Sequence, residues 1–299
     1  MQKTKSKIAS GHRACAGCGQ MIAANAVSET LGDNVIIANS TGCLEVTTTP
    51  YPTSAWKLPW IHSLFENSSA IASGILAALK KQKKDKKIKV VAQGGDGGTF
   101  DIGFGLISGM WERGENILYI CYDTEAYSNT GIQASGATPW AASTTTTPSG
   151  IGNSIDAIGS HQQKKNMVEI ALTHGLKYVA QSTAGFPEDI KRKVKKALET
   201  EGPSYIQILS PCIPGWKVGP ETAVKLGKLA VQTGLYPLIE YVDGQLINNF
   251  KITKKIKVEE YLKLQGRFRH LWTTQQGKKQ IKYIQNLADQ NITKYKLDE

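Results

Sequence analysis

An aspartate enclosed by four glycines, Gly94-Gly95-Asp96-Gly97-Gly98, is the stretch with the most pointed chemistry. Glycines allow positive φ and close backbone approach, and a glycine-rich turn that opens a helix presents N–H groups to phosphate. The turn is not a P-loop, because no Gly-Lys-Ser/Thr follows. It is not the dinucleotide fingerprint either, because Phe100 stands where the third glycine belongs. A carboxylate beside phosphate-binding amides needs a cation between them, and Mg2+ is the natural choice. A second stretch, Asp123-Thr124-Glu125-Ala126-Tyr127-Ser128-Asn129-Thr130-Gly131, offers hydroxyls, carbonyls and the Asn129 amide, all hard oxygen ligands. Alone, Gly-Asp-Gly reads as a tight turn. Joined to a second strand end that is followed by Asn, it reads as a diphosphate–metal site.

The other reactive set is the cysteines: Cys15, Cys18, Cys43, Cys121 and Cys212. The number is odd, and Met1–Cys18 has no apolar stretch of the kind a signal peptide carries. A cytoplasmic location is expected, where cysteines bind metal or do redox work more often than they form disulfides. Cys15-x-x-Cys18 is a knuckle. With Cys43 and Cys212 it supplies four thiolates, which would serve a 4Fe-4S cluster or a zinc ion equally well. Cys121, inside the apolar run NILYICY, reads as a core cysteine.

For these residues to act together the chain must carry them to one place. Residues 34–39, 88–93, 116–122, 178–181 and 204–209 read as strands. Residues 67–82, 100–113, 166–174 and 187–201 read as helices, the last with Pro187 in its first turn. This alternation argues for an α/β fold: a mostly parallel central sheet with helices on both faces. Ligands bind at the carboxyl edge of such a sheet. Ser40–Cys43, Gly94–Gly98, Asp123–Gly131 and Ser210–Cys212 each follow directly on a predicted strand. Residues 123–160, rich in Ser, Thr, Gly and Pro and without sustained period, read as a long functional loop. After Pro220 the pattern weakens, so residues 1–220 are read as the binding domain. Residues 221–299 are read as a C-terminal extension packed on that domain or on a partner.

The 299 residues suffice for one large core, and no apolar run approaches the roughly 18 residues of a membrane span. The formal net charge of +11 suits an acidic partner. No zinc-finger or RNA-recognition pattern accompanies it, so neither nucleic acid nor membrane is expected as a partner. The lysine-rich run 80–89 reads as a solvated loop.

Beyond these readings, the paired motif GDG…N resembles that of thiamine-diphosphate enzymes. GGDGGTFDIGFG and DTEAYSNTG look like the pyruvate:ferredoxin oxidoreductase family. GHRACAGCGQ, NSTGCLEVTTTPYPTSAWKLPWIH, ASTTTTPSG, SPCIPGW and EYLKLQGRFRHL are similar to the β subunit of its multi-subunit form, so the resemblance covers nearly the whole chain. It implies the thiamine-diphosphate-binding fold and three cofactors: thiamine diphosphate, Mg2+ and a 4Fe-4S cluster. It implies oxidative decarboxylation of pyruvate with CoA, and electrons passed to ferredoxin. The partners implied are α, γ and δ subunits, ferredoxin, pyruvate and CoA.

Carried over position by position, the resemblance puts Asp96, Thr124 and the Ala126 carbonyl on Mg2+. It puts Gly95, Asp96, Gly97, Gly98 and Thr124, Glu125, Ala126, Tyr127, Ser128 and Asn129 around the cofactor. Asn129 also stands near the substrate in a catalytic role, and Gln20 and Cys43 approach the cofactor. Cys15, Cys18, Cys43 and Cys212 become the cluster ligands. At the Gln20 position an acid is more usual. The glutamate that activates the aminopyrimidine is carried by the α subunit in that family. The alternatives are a 2-oxoisovalerate:ferredoxin oxidoreductase β subunit, a non-redox thiamine-diphosphate carboligase or decarboxylase, and a zinc-stabilised scaffold.

Overall fold

The computed structural model describes residues 6–149, 158–273 and 275–298. The elements in chain order are α1 (Gly19–Thr30), β1 (Val35–Asn39), α2 (Cys43–Thr48), β2 (Trp60–His62), α3 (Ser68–Lys81) and β3 (Lys89–Gly95). There follow α4 (Phe104–Glu112), β4 (Ile117–Asp123), α5 (Met167–Thr173), β5 (Tyr178–Thr183), α6 (Pro187–Glu199) and β6 (Ser204–Leu209). The chain continues through α7 (Ile213–Trp216), α8 (Ala223–Gln232), β7 (Ile239–Val242), β8 (Gln245–Asn249), α9 (Val258–Leu262) and α10 (Gln275–Lys294). The eight strands form one sheet in the order β2-β1-β3-β4-β6-β5-β7-β8. The pairings among β1 to β6 are parallel; β7 and β8 add an antiparallel edge.

Strands β1 and β3 to β6 are buried on both faces, as parallel strands under helices must be. Alternate residues of β4 serve opposite cores. Ile117, Tyr119 and Cys121 pack with Leu76, Ile107, Met110 and Trp111 from α3 and α4. Leu118, Ile120 and Tyr122 pack with Val27 of α1 and with Ile190 and Val194 of α6. Burying one such side chain contributes roughly 1.5–3 kcal/mol. A third cluster joins Leu209 and Trp216 to Leu226, Phe268, Ile281 and Ile284, so the segment after residue 220 packs onto the end of β6.

Two differences from the sequence reading concern the site. The helix expected over 100–113 is split: a π-helical turn, Gly97–Asp101, begins within the glycine stretch and α4 begins only at Phe104. Gly103, whose would-be Cβ lies 2.1 Å from the Gly98 carbonyl, marks the join. Strands β2, β7 and β8 were not anticipated. The 123–160 loop is free of long elements where it is described, and its residues 150–157 lie outside the described residues. Among the described residues no helix is long and apolar enough to cross a membrane.

Candidate functional site

Because β1, β3, β4 and β6 are parallel neighbours, their carboxyl ends at Asn39, Gly95, Asp123 and Leu209 stand on one edge of the sheet. The four stretches picked out in the sequence therefore converge. Between them opens a cleft lined by Gln20, Ser40, Gly42, Cys43, Gly95, Asp96, Gly97, Thr124, Ala126, Tyr127, Ser128 and Asn129, among others. Gly97 has to be glycine: a Cβ there would lie 2.4 Å from the Tyr127 ring. A larger cavity of about 460 Å³ lies beneath α10 and includes Glu125 and Lys164, but it touches neither the glycine turn nor any thiol.

Asp96 sits at the floor of the cleft, 1% exposed. Its Oδ1 accepts from the Thr124 N–H at 3.0 Å and faces the Thr124 hydroxyl at 2.9 Å; its Oδ2 accepts from the Ser135 hydroxyl at 2.6 Å. The Thr124 Oγ1 also stands 3.1 Å from the Ala126 carbonyl oxygen and 2.9 Å from the Ser128 hydroxyl. One hydroxyl hydrogen cannot serve the carboxylate and the carbonyl together. Octahedral Mg2+ with bonds of about 2.1 Å holds neighbouring ligands about 3.0 Å apart. The spacings around Thr124 fit that geometry, so Asp96, Thr124 and Ala126 form a cradle of the right donors at the right separation.

Charge counting leads to the same place. Asp96, Asp123 and Glu125 are three buried carboxylates. Lys164 reaches Asp123 at 2.6 Å and Glu125 at 2.9 Å, and Arg267 reaches Glu125 at 2.6 Å. That makes three anions against two cations, and among the described residues Asp96 is the member whose partners are only hydroxyl and amide groups. Burial, and after it the repulsion of Asp123, push the Asp96 carboxyl up from the usual carboxylate range. Burial alone would raise Glu125 as well, but the Lys164 and Arg267 charges more than offset it and hold its carboxyl low. Glu125 has φ +62, a left-handed backbone that costs a non-glycine residue on the order of 1–3 kcal/mol. Of residues 124–129 it alone turns away from the cleft wall, toward the two cations.

The thiols gather beside this cradle. The Cys15–Cys18 knuckle closes with the Cys18 N–H donating to the Cys15 carbonyl, and the Gly19 N–H donates to the Pro211 carbonyl next to Cys212. Gly17, at φ +71, lies so near Pro220 that a Cβ would stand 1.9 Å from its carbonyl oxygen. The segment before the knuckle is tied to α2, which begins at Cys43, by the Arg13 N–H donating to the Thr47 carbonyl. The Cys43 thiol is pushed up to about 12, by burial first and then by Cys212, Cys18 and Cys15. Cys18 and Cys212 are raised by burial too, an effect that Ser128 of the cradle loop offsets in part at Cys212. Among the described residues no three His, Cys, Asp or Glu side chains stand close enough to share one metal ion. The fifth cysteine, Cys121, is fully buried in β4.

Gln20, on α1, and Asn129 line the cleft; Gly98 lies just behind it, against the Phe65 carbonyl. His62 bonds Thr41, and Trp56 donates to Thr48, so both hold the wall. The sequence reading missed Ser135, Lys164, Trp216 and Arg267. Ser135 lies in a loop without period. Lys164 is one of two adjacent lysines with nothing to separate the buried one from the other. Arg267 comes from a segment read as a peripheral tail.

Residues 40–208 match the family model described as "Thiamine pyrophosphate enzyme, C-terminal TPP binding domain", the class that this fold and cleft define. The chain is 52% identical to pyruvate synthase subunit PorB of Methanocaldococcus jannaschii, over 88% of this chain and 89% of that one. It is 49% identical to the same subunit of Methanosarcina barkeri, over 99% and 100%. It is 42% identical to the ketoisovalerate oxidoreductase subunit VorB of Pyrococcus abyssi, over 87% and 85%. The chain belongs to the family of pyruvate synthase PorB subunits. The 2-oxoglutarate:ferredoxin oxidoreductase of Magnetococcus marinus shares its fold, with a TM-score of 0.58 at 24% identity over 76% of this chain and 81% of that one.

Proposed function

We propose that this chain is the β subunit of a pyruvate:ferredoxin oxidoreductase, binding thiamine diphosphate, Mg2+ and a 4Fe-4S cluster. The complex would convert pyruvate and CoA to acetyl-CoA and CO2, reversibly, with the electrons delivered to ferredoxin. The observation that carries the reading is the shared sheet edge: the Asp96–Thr124–Ala126 cradle and four thiols lie side by side, near enough for Cys43 to feel Cys212, Cys18, Cys15 and Asp96.

In this reading Asp96, Thr124 and the Ala126 carbonyl hold Mg2+. Gly95 to Gly98 and Thr124 to Asn129 surround the diphosphate, Glu125 through its backbone. Gln20 and Cys43 approach the cofactor, and Asn129 faces the reacting end of the cleft as the catalytic residue of this chain. Cys15, Cys18, Cys43 and Cys212 hold the cluster. The resemblance of the four cysteine positions to those of the family supports a cluster there rather than zinc. Thiamine diphosphate supplies the carbanion chemistry for a 2-oxoacid, and the cluster supplies one-electron acceptance. The protein's part is to fix the diphosphate at the glycine turn, to keep the Asp96 carboxylate toward the cation, and to wall the cleft with Phe65 and Tyr127.

The activating glutamate belongs to the α subunit in this reading, so the chain works only with its α, γ and δ partners. We place the complex in the cytoplasm, with ferredoxin docking at a basic surface. Residues 1–220 form the cofactor-binding domain, and residues 221–299 are an extension packed against it or against a partner. The similarity to a VorB subunit keeps the branched 2-oxoacid as the second reading.

The test is CoA-dependent dye reduction by the co-expressed complex, purified without oxygen, with pyruvate, 2-oxoisovalerate and 2-oxoglutarate in parallel. Preference for pyruvate is expected. Preference for the branched acid would keep the chemistry and change the substrate. Iron- and thiamine-containing protein inert to all three would overturn the substrate class.

A further inference from the structure

We infer that Arg267, from the C-terminal extension, is a positioning residue that sets the backbone of the Thr124–Ala126 turn for metal binding. The inference deepens the proposed function and rests on it.

The contacts form a short chain. The Arg267 guanidinium donates to the Glu125 carboxylate at 2.6 Å and lies 3.9 Å from the centre of the Trp216 ring. The Trp216 indole N–H donates to the Thr124 carbonyl at 2.9 Å. One side chain therefore bears on two consecutive residues of the turn. It holds Glu125 by charge and steadies the indole that holds Thr124. Glu125 occupies a left-handed backbone conformation and must be held there from outside. Its neighbours hold it on every other side: Lys164 takes its second carboxylate oxygen, Thr138 donates to its carbonyl, and Asp123 accepts from its N–H.

Were Glu125 to relax, the Thr124 hydroxyl and the Ala126 carbonyl on either side of it would lose their 3.1 Å spacing. Arg267 is itself fixed. Its Nε donates to Gln265, and it is 2% exposed. The Gly266 N–H before it donates to the Lys217 carbonyl. A planar fork that pairs with a carboxylate while stacking on an indole is a role that lysine cannot fill in full.

The experiment uses the assembled complex stripped of Mg2+ and thiamine diphosphate. Mg2+-dependent binding of thiamine diphosphate is measured by titration calorimetry, with iron content and melting temperature recorded alongside. Arg267→Met is expected to weaken Mg2+-dependent binding by about 10–100-fold, the usual cost of losing a partner that orients metal ligands. Arg267→Lys is expected to recover part of that loss. The KM for pyruvate at saturating Mg2+ and cofactor should stay near wild type, which a merely loosened fold would not allow. Arg269→Met, in the same segment but exposed, should bind as wild type does. Should Arg267→Met fail to assemble, Trp216→Phe removes the indole N–H while keeping an aromatic face, and is expected to weaken binding several-fold. Wild-type affinity in Arg267→Met or, where that variant fails, in Trp216→Phe overturns the inference. Absence of Mg2+-dependent binding in the wild type would instead overturn the functional reading beneath it.

Discussion

Glu240 and Asp96 are both buried carboxylates, yet their surroundings differ in sign. Glu240, on the antiparallel strand β7, receives Arg192 at 2.6 Å, Lys196 at 3.0 Å and the Tyr178 hydroxyl at 3.0 Å. Burial would raise its carboxyl, but these donors hold it down at about 2. Asp96, at the parallel strand ends, has an anionic neighbour, Asp123, and only neutral donors, and its carboxyl is raised. One site is closed, its charge balanced from within the chain. The other is a cation short, at the floor of a cleft. A structural ion pair and a binding site can be equally buried; the unfinished balance tells them apart.

That contrast can be broken in four ways. Asp96→Asn should have the largest effect: loss of Mg2+-dependent thiamine-diphosphate binding by at least about 100-fold and loss of pyruvate oxidation. The melting temperature of the cofactor-free complex should hold or rise, because an uncompensated buried charge has gone. A marked fall in melting temperature would mean that Asp96 is structural after all. Lys164→Met should do the reverse, removing a cation that Asp123 and Glu125 share. Denaturant titration should read a loss on the order of 3–5 kcal/mol.

Glu240→Gln should cost about 2 kcal/mol and leave cofactor affinity untouched. The pH dependence has a definite sign. Glu240's carboxyl lies below its ordinary value, so its stabilisation is present above about 4.5 and is lost as pH falls toward about 2. The variant's melting temperature should therefore change less over that window than the wild type's. Equal slopes would remove Glu240 from the account. Glu201→Gln, which loses exposed pairs with Lys86 and Lys89, should leave the melting temperature unchanged.

The parallel sheet was legible because strands β1 and β3 to β6 are buried on both faces and read as compact apolar runs. The site was legible because its special residues sit at the strand ends that the fold brings together. What the sequence reading missed has a different cause in each case. Strand β2 has three residues at an edge and too little period to read. The hairpin of β7 and β8 did carry its signal, Asp243-Gly244, both at positive φ. It is lost when everything after Pro220 is treated as a weakening tail. Arg267 and Lys164 act on Glu125 across 142 and 39 residues of sequence, and a pairing at that range leaves no local mark.

The knuckle at Cys15 and Cys18 is pressed against Pro211 and Pro220, and this fixes an order of events in time. A chain made from its amino end exposes its first two site thiols about 200 residues before the fourth appears. At about 5–20 residues per second, that interval lasts some tens of seconds at the slow end. The two thiols must pass through it without the neighbours that later enclose them. A cluster held by all four thiols, as proposed, would therefore be completed only after residue 212 has been made, and translation paused before it should yield protein that carries none.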